Sequence, residues 1–190
     1  LTADQTGTLV HYILEQALKR AGAGFVDLSE TELADLAAAV TREYVAANMP
    51  GAGARFEYLI QRLQKSASAL LAFIQAEQRQ GSFRPVAFEL GIGDGPDQVP
   101  PVVLTTKTGE TVRMIGKIDR VDACREGGRT WLRVVDYKTG SKEFLLEDVR
   151  RGLNCQMLVY LFTLVRNAGG AFQDPAPAGV LYLMADPAPA

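Results

Sequence analysis

Apolar residues in the first eighty positions recur with the period of a helix. In TLVHYILEQALKR (8–20) they fall at 9, 10, 13, 14 and 17, which gathers them on one helical face. A second helix is predicted from about 31 to 47, opened by Ser29 or Thr31 with Glu32 close behind and stopped before the breaker segment NMPGAGA. A third is predicted from about 55 to 80, with Phe56, Leu59, Ile60, Leu63, Leu70, Leu71 and Ile74 on its buried side.

Beyond position 80 the period shortens to that of strands. VAFELGI (86–92) reads as a strand, and GDGPDQVPP as a loop in which Pro100 and Pro101 cannot donate to a ladder. VVLTTKTGETVRMIGKIDRVDA reads as a hairpin turning at Lys107-Thr108-Gly109-Glu110; REGGR (125–129) makes the next turn and TWLRVVDYK the next strand. From about 145 to 166, apolar residues at 146, 149, 153, 157, 161 and 164 predict one helix packed back on the sheet, and GVLYLM (179–184) supplies a last strand. Helices, then strands, a helix and a strand predict an α/β fold: a mixed β-sheet flanked by helices, with an N-terminal helical part.

The bulk composition is that of one compact domain over residues 1–190, mainly helical to 80 and sheet-and-helix from 86 onward. The chain has 190 residues, 47% hydrophobic and 22% charged. No apolar run approaches the roughly 18 residues of a bilayer helix, so no membrane partner is expected. LTADQTG at the start has neither the basic nor the apolar region of a signal peptide, which places the chain in the cytoplasm. The absence of an initiator Met suggests a piece of a longer polypeptide. Cys124 and Cys155 lie far apart, without a CxxC or a histidine at metal spacing, and read as thiols in a reducing compartment. The net charge of −2 excludes a global basic field, yet from Lys107 to Arg151 there are eleven Lys or Arg against eight Asp or Glu.

That basic stretch holds the candidate chemistry. In VVDYKTG (134–140), strand alternation sends Asp136 and Lys138 to one side, Val135 and Tyr137 to the other, before a turn on Gly140. Three carboxylates sit near the ends of predicted strands: Glu89, Asp119 in GKIDRVD and Asp136. On neighbouring strands, Asp119 and Asp136 would meet across about 5 Å. Two carboxylates that close repel one another, and a divalent cation removes the repulsion; Mg²⁺ binds through one or two carboxylates plus water and phosphate oxygens. Lys138 would then place a positive charge where charge develops during phosphodiester hydrolysis. The competing account is a surface ion pair of little energetic weight.

Taken together, these segments resemble the PD-(D/E)xK nuclease superfamily, and within it the RecB-like nuclease domain of the AddB (RexB) component of bacterial helicase-nucleases. GTLVHYILE (7–15) resembles the histidine helix, GKIDRVD (116–122) the motif of the first metal aspartate, and VVDYKTGSK (134–142) that of the second aspartate and the lysine. QMLVYLF (156–162) is similar to the QxxxY helix, and GVLYL to the strand after it. The resemblance implies a restriction-endonuclease-like fold and Mg²⁺, with Mn²⁺ as the alternative, held by His11, Asp119, Asp136 and the Tyr137 carbonyl. Lys138 would be catalytic. It implies DNA as substrate, an AddA-like helicase-nuclease subunit as partner, and double-strand-break repair as the process.

Each assignment has a rival. His11, the only histidine, sits in an apolar helical run and could be a core residue. Gln156 and Tyr160 share a helix face, for packing or for contact with DNA or with the lysine. Glu89 is a supporting carboxylate or an ordinary strand acid. Asp122, on the strand face opposite Asp119, is expected to pair with a nearby arginine. Arg120, Lys117 and Lys142 either touch phosphates or form a solvated charged face. AddB domains usually carry four cysteines for an iron-sulfur cluster, and these are not in the sequence; the expectation is that they lie outside this fragment. Two other readings are a catalytically silent DNA-binding module and a CRISPR-associated RecB-like exonuclease.

Overall fold

The computed structural model describes residues 2–49, 54–138, 146–151, 153 and 155–184. The expected turn at Gly140, and Lys142, lie outside the described residues. The chain divides into two compact units: Leu1–Gly81 with Tyr137–Lys142 and Leu183–Ala190, and Ser82–Asp136 with Glu143–Tyr182. No helix among the described residues is long and apolar enough to cross a membrane.

The first unit is built on α1 (Ala3–Ala21), α2 (Glu30–Asn48) and α3 (Ala54–Gln80), with a 3-10 turn at Gly22–Asp27. All three begin or end close to where the pattern places them. Leu9, Val10, Ile13, Leu14 and Ala17 are buried, as their spacing requires. Ser29 caps α2 by accepting from the Glu32 amide while the Glu32 carboxylate accepts from the Ser29 amide, a reciprocal capping box. Ile60, Leu63, Leu70, Leu71 and Ile74 line the buried side of α3. Near its C-terminal end, the buried Gln75 amide donates to the Phe25 and Leu28 carbonyls, both at 2.8 Å, and ties the 3-10 turn to the helix.

The second unit carries a four-stranded mixed sheet in the order β1 (Arg84–Ile92), β4 (Gly116–Glu126), β5 (Arg129–Lys138), β6 (Pro175–Met184). β4 runs antiparallel to both β1 and β5. α5 (Gln156–Asn167) connects β5 to β6 and buries Met157, Leu161 and Leu164 in a cluster with Ile118, Val121 and Val134.

Three boundaries differ from the sequence reading, each for a physical reason. The hairpin expected over VVLTTKTGETVRMIGKIDRVDA is a short pair, β2 (Val103–Thr105) with β3 (Thr111–Arg113), and β4 belongs to the other sheet. Period-2 patterning fixes which face a strand buries and leaves its pairing partner open. The single helix expected over 145–166 is two, α4 (Leu146–Arg150) and α5: the Leu153 amide turns back to the Asp148 carbonyl, and Leu153 is 57% exposed rather than buried. The last strand starts at Pro175, four residues early; it stands at the sheet edge, where proline is tolerated.

Candidate active site

The ladder between β1 and β4 brackets one pair of acids. Phe88 pairs with Arg120 and Leu90 with Ile118, so Glu89 stands opposite Asp119. On the other side of β4, the ladder to β5 runs without a bulge up to Arg120 opposite Val135, and Val121 opposite Val134 share a face. Two residues along each strand from that pair lie Asp119 and Asp136, so alternation puts both carboxylates on the same face. Register thus aligns Glu89, Asp119 and Asp136 across three adjacent strands. A Glu89 carboxylate oxygen lies within 4.8 Å of one on Asp119.

Glu89 reaches this position at a conformational cost. Its φ of 48° is left-handed, in the middle of a strand and on a residue with a β-carbon. Such a backbone costs about 1–2 kcal/mol. Its carboxylate forms an ion pair with Lys117, which precedes Asp119 by two residues on β4. Lys117, one of the phosphate-contact candidates, is therefore engaged with an acid.

Asp136 is partly buried, and its Oδ2 atom is shielded from water. Tyr182 on β6 senses it: burial, and after it the negative charge of Asp136, push the phenol above its ordinary value. In the sequence GVLYL reads only as a strand, and nothing in it marks Tyr182 as a site residue. Nothing in a strand's own pattern states which residue of its neighbour it faces.

The first unit holds the other assigned ligands. His11, half-buried on α1, donates from Nε2 to the Tyr137 carbonyl oxygen at 2.9 Å, and the two rings stand edge to face at 5.5 Å. Two of the residues that the resemblance assigns to a metal, His11 and Tyr137, are thus hydrogen-bonded neighbours. Lys138 is the last residue of β5, two positions after Asp136.

The opposite face of the sheet is structural. Asp122 is buried and accepts from Arg120 Nη2 at 3.0 Å and from Arg133 Nε and Nη2 at 3.2 and 2.7 Å. Arg120 Nε also lies 2.7 Å from Asp122 Oδ1, close enough for charge attraction but not aligned as a hydrogen bond. The Arg133 guanidinium covers the Phe83 ring at 4.7 Å. The expected pairing of Asp122 is what the structure holds. The reading of Arg120 as a phosphate contact or solvated charge is corrected: its side chain is 0% exposed.

Tyr160 is buried in the α5 cluster, and its hydroxyl accepts from Gln156 Nε2 at 2.6 Å. It presses on Gly116, the first residue of β4, where a β-carbon would collide with the phenol ring.

A hard divalent cation suits these donors. Two carboxylates are held side by side against their repulsion, one of them by strained backbone, and a third with a water-shielded oxygen stands in line with them.

Comparison with known proteins agrees with this chemistry. The family model for the PD-(D/E)XK nuclease superfamily matches residues 1–189. The B subunit of the ATP-dependent helicase/deoxyribonuclease of Clostridioides difficile (strain 630) is 31% identical over 188 residues, covering 95% of this chain and 16% of the relative. Its Acetivibrio thermocellus counterpart is 32% identical over 98% of this chain and 17% of its own length. That of Ruminiclostridium cellulolyticum is 39% identical over 72% of this chain and 12% of its own length. The chain thus spans between about an eighth and a sixth of the length of these curated relatives. A family match over nearly every residue makes this chain a member of the PD-(D/E)XK nuclease superfamily.

Proposed function

We propose that the chain is the Mg²⁺-dependent deoxyribonuclease module of a helicase-nuclease that trims double-strand DNA ends for recombinational repair in the cytoplasm. The observation that carries this reading is the register of Glu89, Asp119 and Asp136 on three adjacent strands. Relatives named as the B subunit of a helicase/deoxyribonuclease support DNA as the substrate and a second subunit as the partner; the family resemblance makes that subunit AddA-like.

In this reading His11, Asp119, Asp136 and the Tyr137 carbonyl hold the ion, and Glu89 supports them. The bound cation supplies Lewis acidity toward the phosphodiester and lowers the pKa of the attacking water. Lys138 either orients that water as an ammonium, with its positive charge beside the phosphate as negative charge builds, or, as the neutral amine, takes its proton. Asp119 and Asp136, restrained by the strand ladders, lose little freedom when the site fills. Lys117 offsets the charge of Glu89 in the interim. A tethered nuclease receives its strand at high effective concentration, so the small local excess of basic residues suffices.

The test is Asp136→Ala and Lys138→Ala, each assembled in the parent complex. Both are expected to abolish Mg²⁺-dependent cleavage while DNA binding survives. Mg²⁺-dependent cleavage that both variant complexes retain at the wild-type rate would sink the assignment.

A further inference from the structure

The outward face of α3 differs from an ordinary solvated helix face. Tyr58, Arg62, Lys65, Ala69 and Phe73 follow one another at steps of four, three, four and four, so they form a single stripe. Tyr58 and Phe73 are 58% and 57% exposed, while the opposite side of the helix is buried. Between them no Asp or Glu occurs at any position, although acids stand immediately outside, at Glu57, and four residues beyond, at Glu77.

We infer that this stripe binds single-stranded DNA, with Tyr58 and Phe73 stacking on bases and Arg62 and Lys65 contacting phosphates between them. The choice of DNA rests on the nuclease reading above; the stripe itself rests on α3 alone. Exposed aromatics interleaved with cations are the elements from which single-strand binders are made, because every unpaired base offers a face to stack on. A duplex hides those faces. Fifteen residues of helix separate the two rings by about 22 Å, a span of several nucleotides.

Anisotropy of a labelled oligothymidine of about twenty nucleotides, with EDTA present so that nothing is cut, tests this on the full 190-residue chain. Wild type is expected to bind it more tightly than a duplex of the same length. Tyr58→Ala and Phe73→Ala are each expected to weaken binding roughly 5- to 100-fold, and Tyr58→Phe, which keeps the stacking ring, to stay within about twofold. Arg62→Ala with Lys65→Ala is expected to flatten the slope of log affinity against log salt by about 1.4.

Equal affinity in the alanine variants overturns the inference, as does the absence of oligonucleotide binding by wild type at low salt. So does a change confined to self-association, which would make the face a protein contact. Loss of the nuclease reading looks different: cleavage in Mg²⁺ that ignores Asp136→Ala, with the stripe variants still weakened in EDTA.

Discussion

The Tyr160 ring on α5 occupies the space that a side chain on Gly116 of β4 would need, its Cζ 2.7 Å from the position of a β-carbon there. Gly116 opens the strand that carries Asp119 three residues later, so this contact seats the acid-bearing segment against the helix. Gly116→Ala should cost about 1–3 kcal/mol by overpacking, a fall in Tm of about 2–12 °C for a chain of this size. Tyr160→Leu in the same chain should recover most of the loss, and Tyr160→Phe less, since the ring carbon remains. Thermal melts of the two double variants check the order.

The left-handed backbone of Glu89 reverses a usual ranking. Alanine at 89 keeps the conformational penalty and glycine does not, so Glu89→Gly should be more stable than Glu89→Ala by about 1 kcal/mol. Both should bind Mn²⁺ or Mg²⁺ roughly tenfold more weakly than wild type. Calorimetric titration beside denaturant melts separates the two effects; identical stabilities would remove the strain argument.

Asp122 holds two guanidinium groups on the opposite face of the sheet. Asp122→Ala leaves Arg120 charged and buried without its partner, and should cost about 3–5 kcal/mol. Urea unfolding should show this, with a smaller loss for Arg133→Ala, whose side chain is 16% exposed.

Glu43 on α2 accepts from both terminal nitrogens of Arg20 on α1, at 2.9 and 2.6 Å. That hydrogen bonding holds its carboxyl below the ordinary glutamate value. A depressed folded value means that the folded chain binds fewer protons, so the pair's contribution is complete above the ordinary value and fades as pH falls through the lowered one. Glu43→Gln should therefore lower Tm at neutral pH, and the gap from wild type should close in acid. A gap that persists at the lowest pH at which the chain stays folded counts against the ion pair.

Local patterning determined much of this protein. Apolar spacing determined α1, α2 and α3, because a helix must bury one stripe and Leu9, Val10, Ile13 and Leu14 can face only one way. The Ser29 and Glu32 capping box was legible because it closes within three residues. Asp119, Asp136 and Lys138 stood out because strand alternation and motif order are properties of the chain itself. What needed the tertiary structure was every relation between distant strands and helices. Alternation cannot say that β4 pairs with β1 rather than β3, that Arg120 is buried on Asp122, that Tyr182 lies near Asp136, or that Glu89 takes a left-handed turn to stand beside Asp119. Those outcomes depend on register and packing between segments tens of residues apart, where the free energy of the whole sheet decides and no single stretch of sequence does.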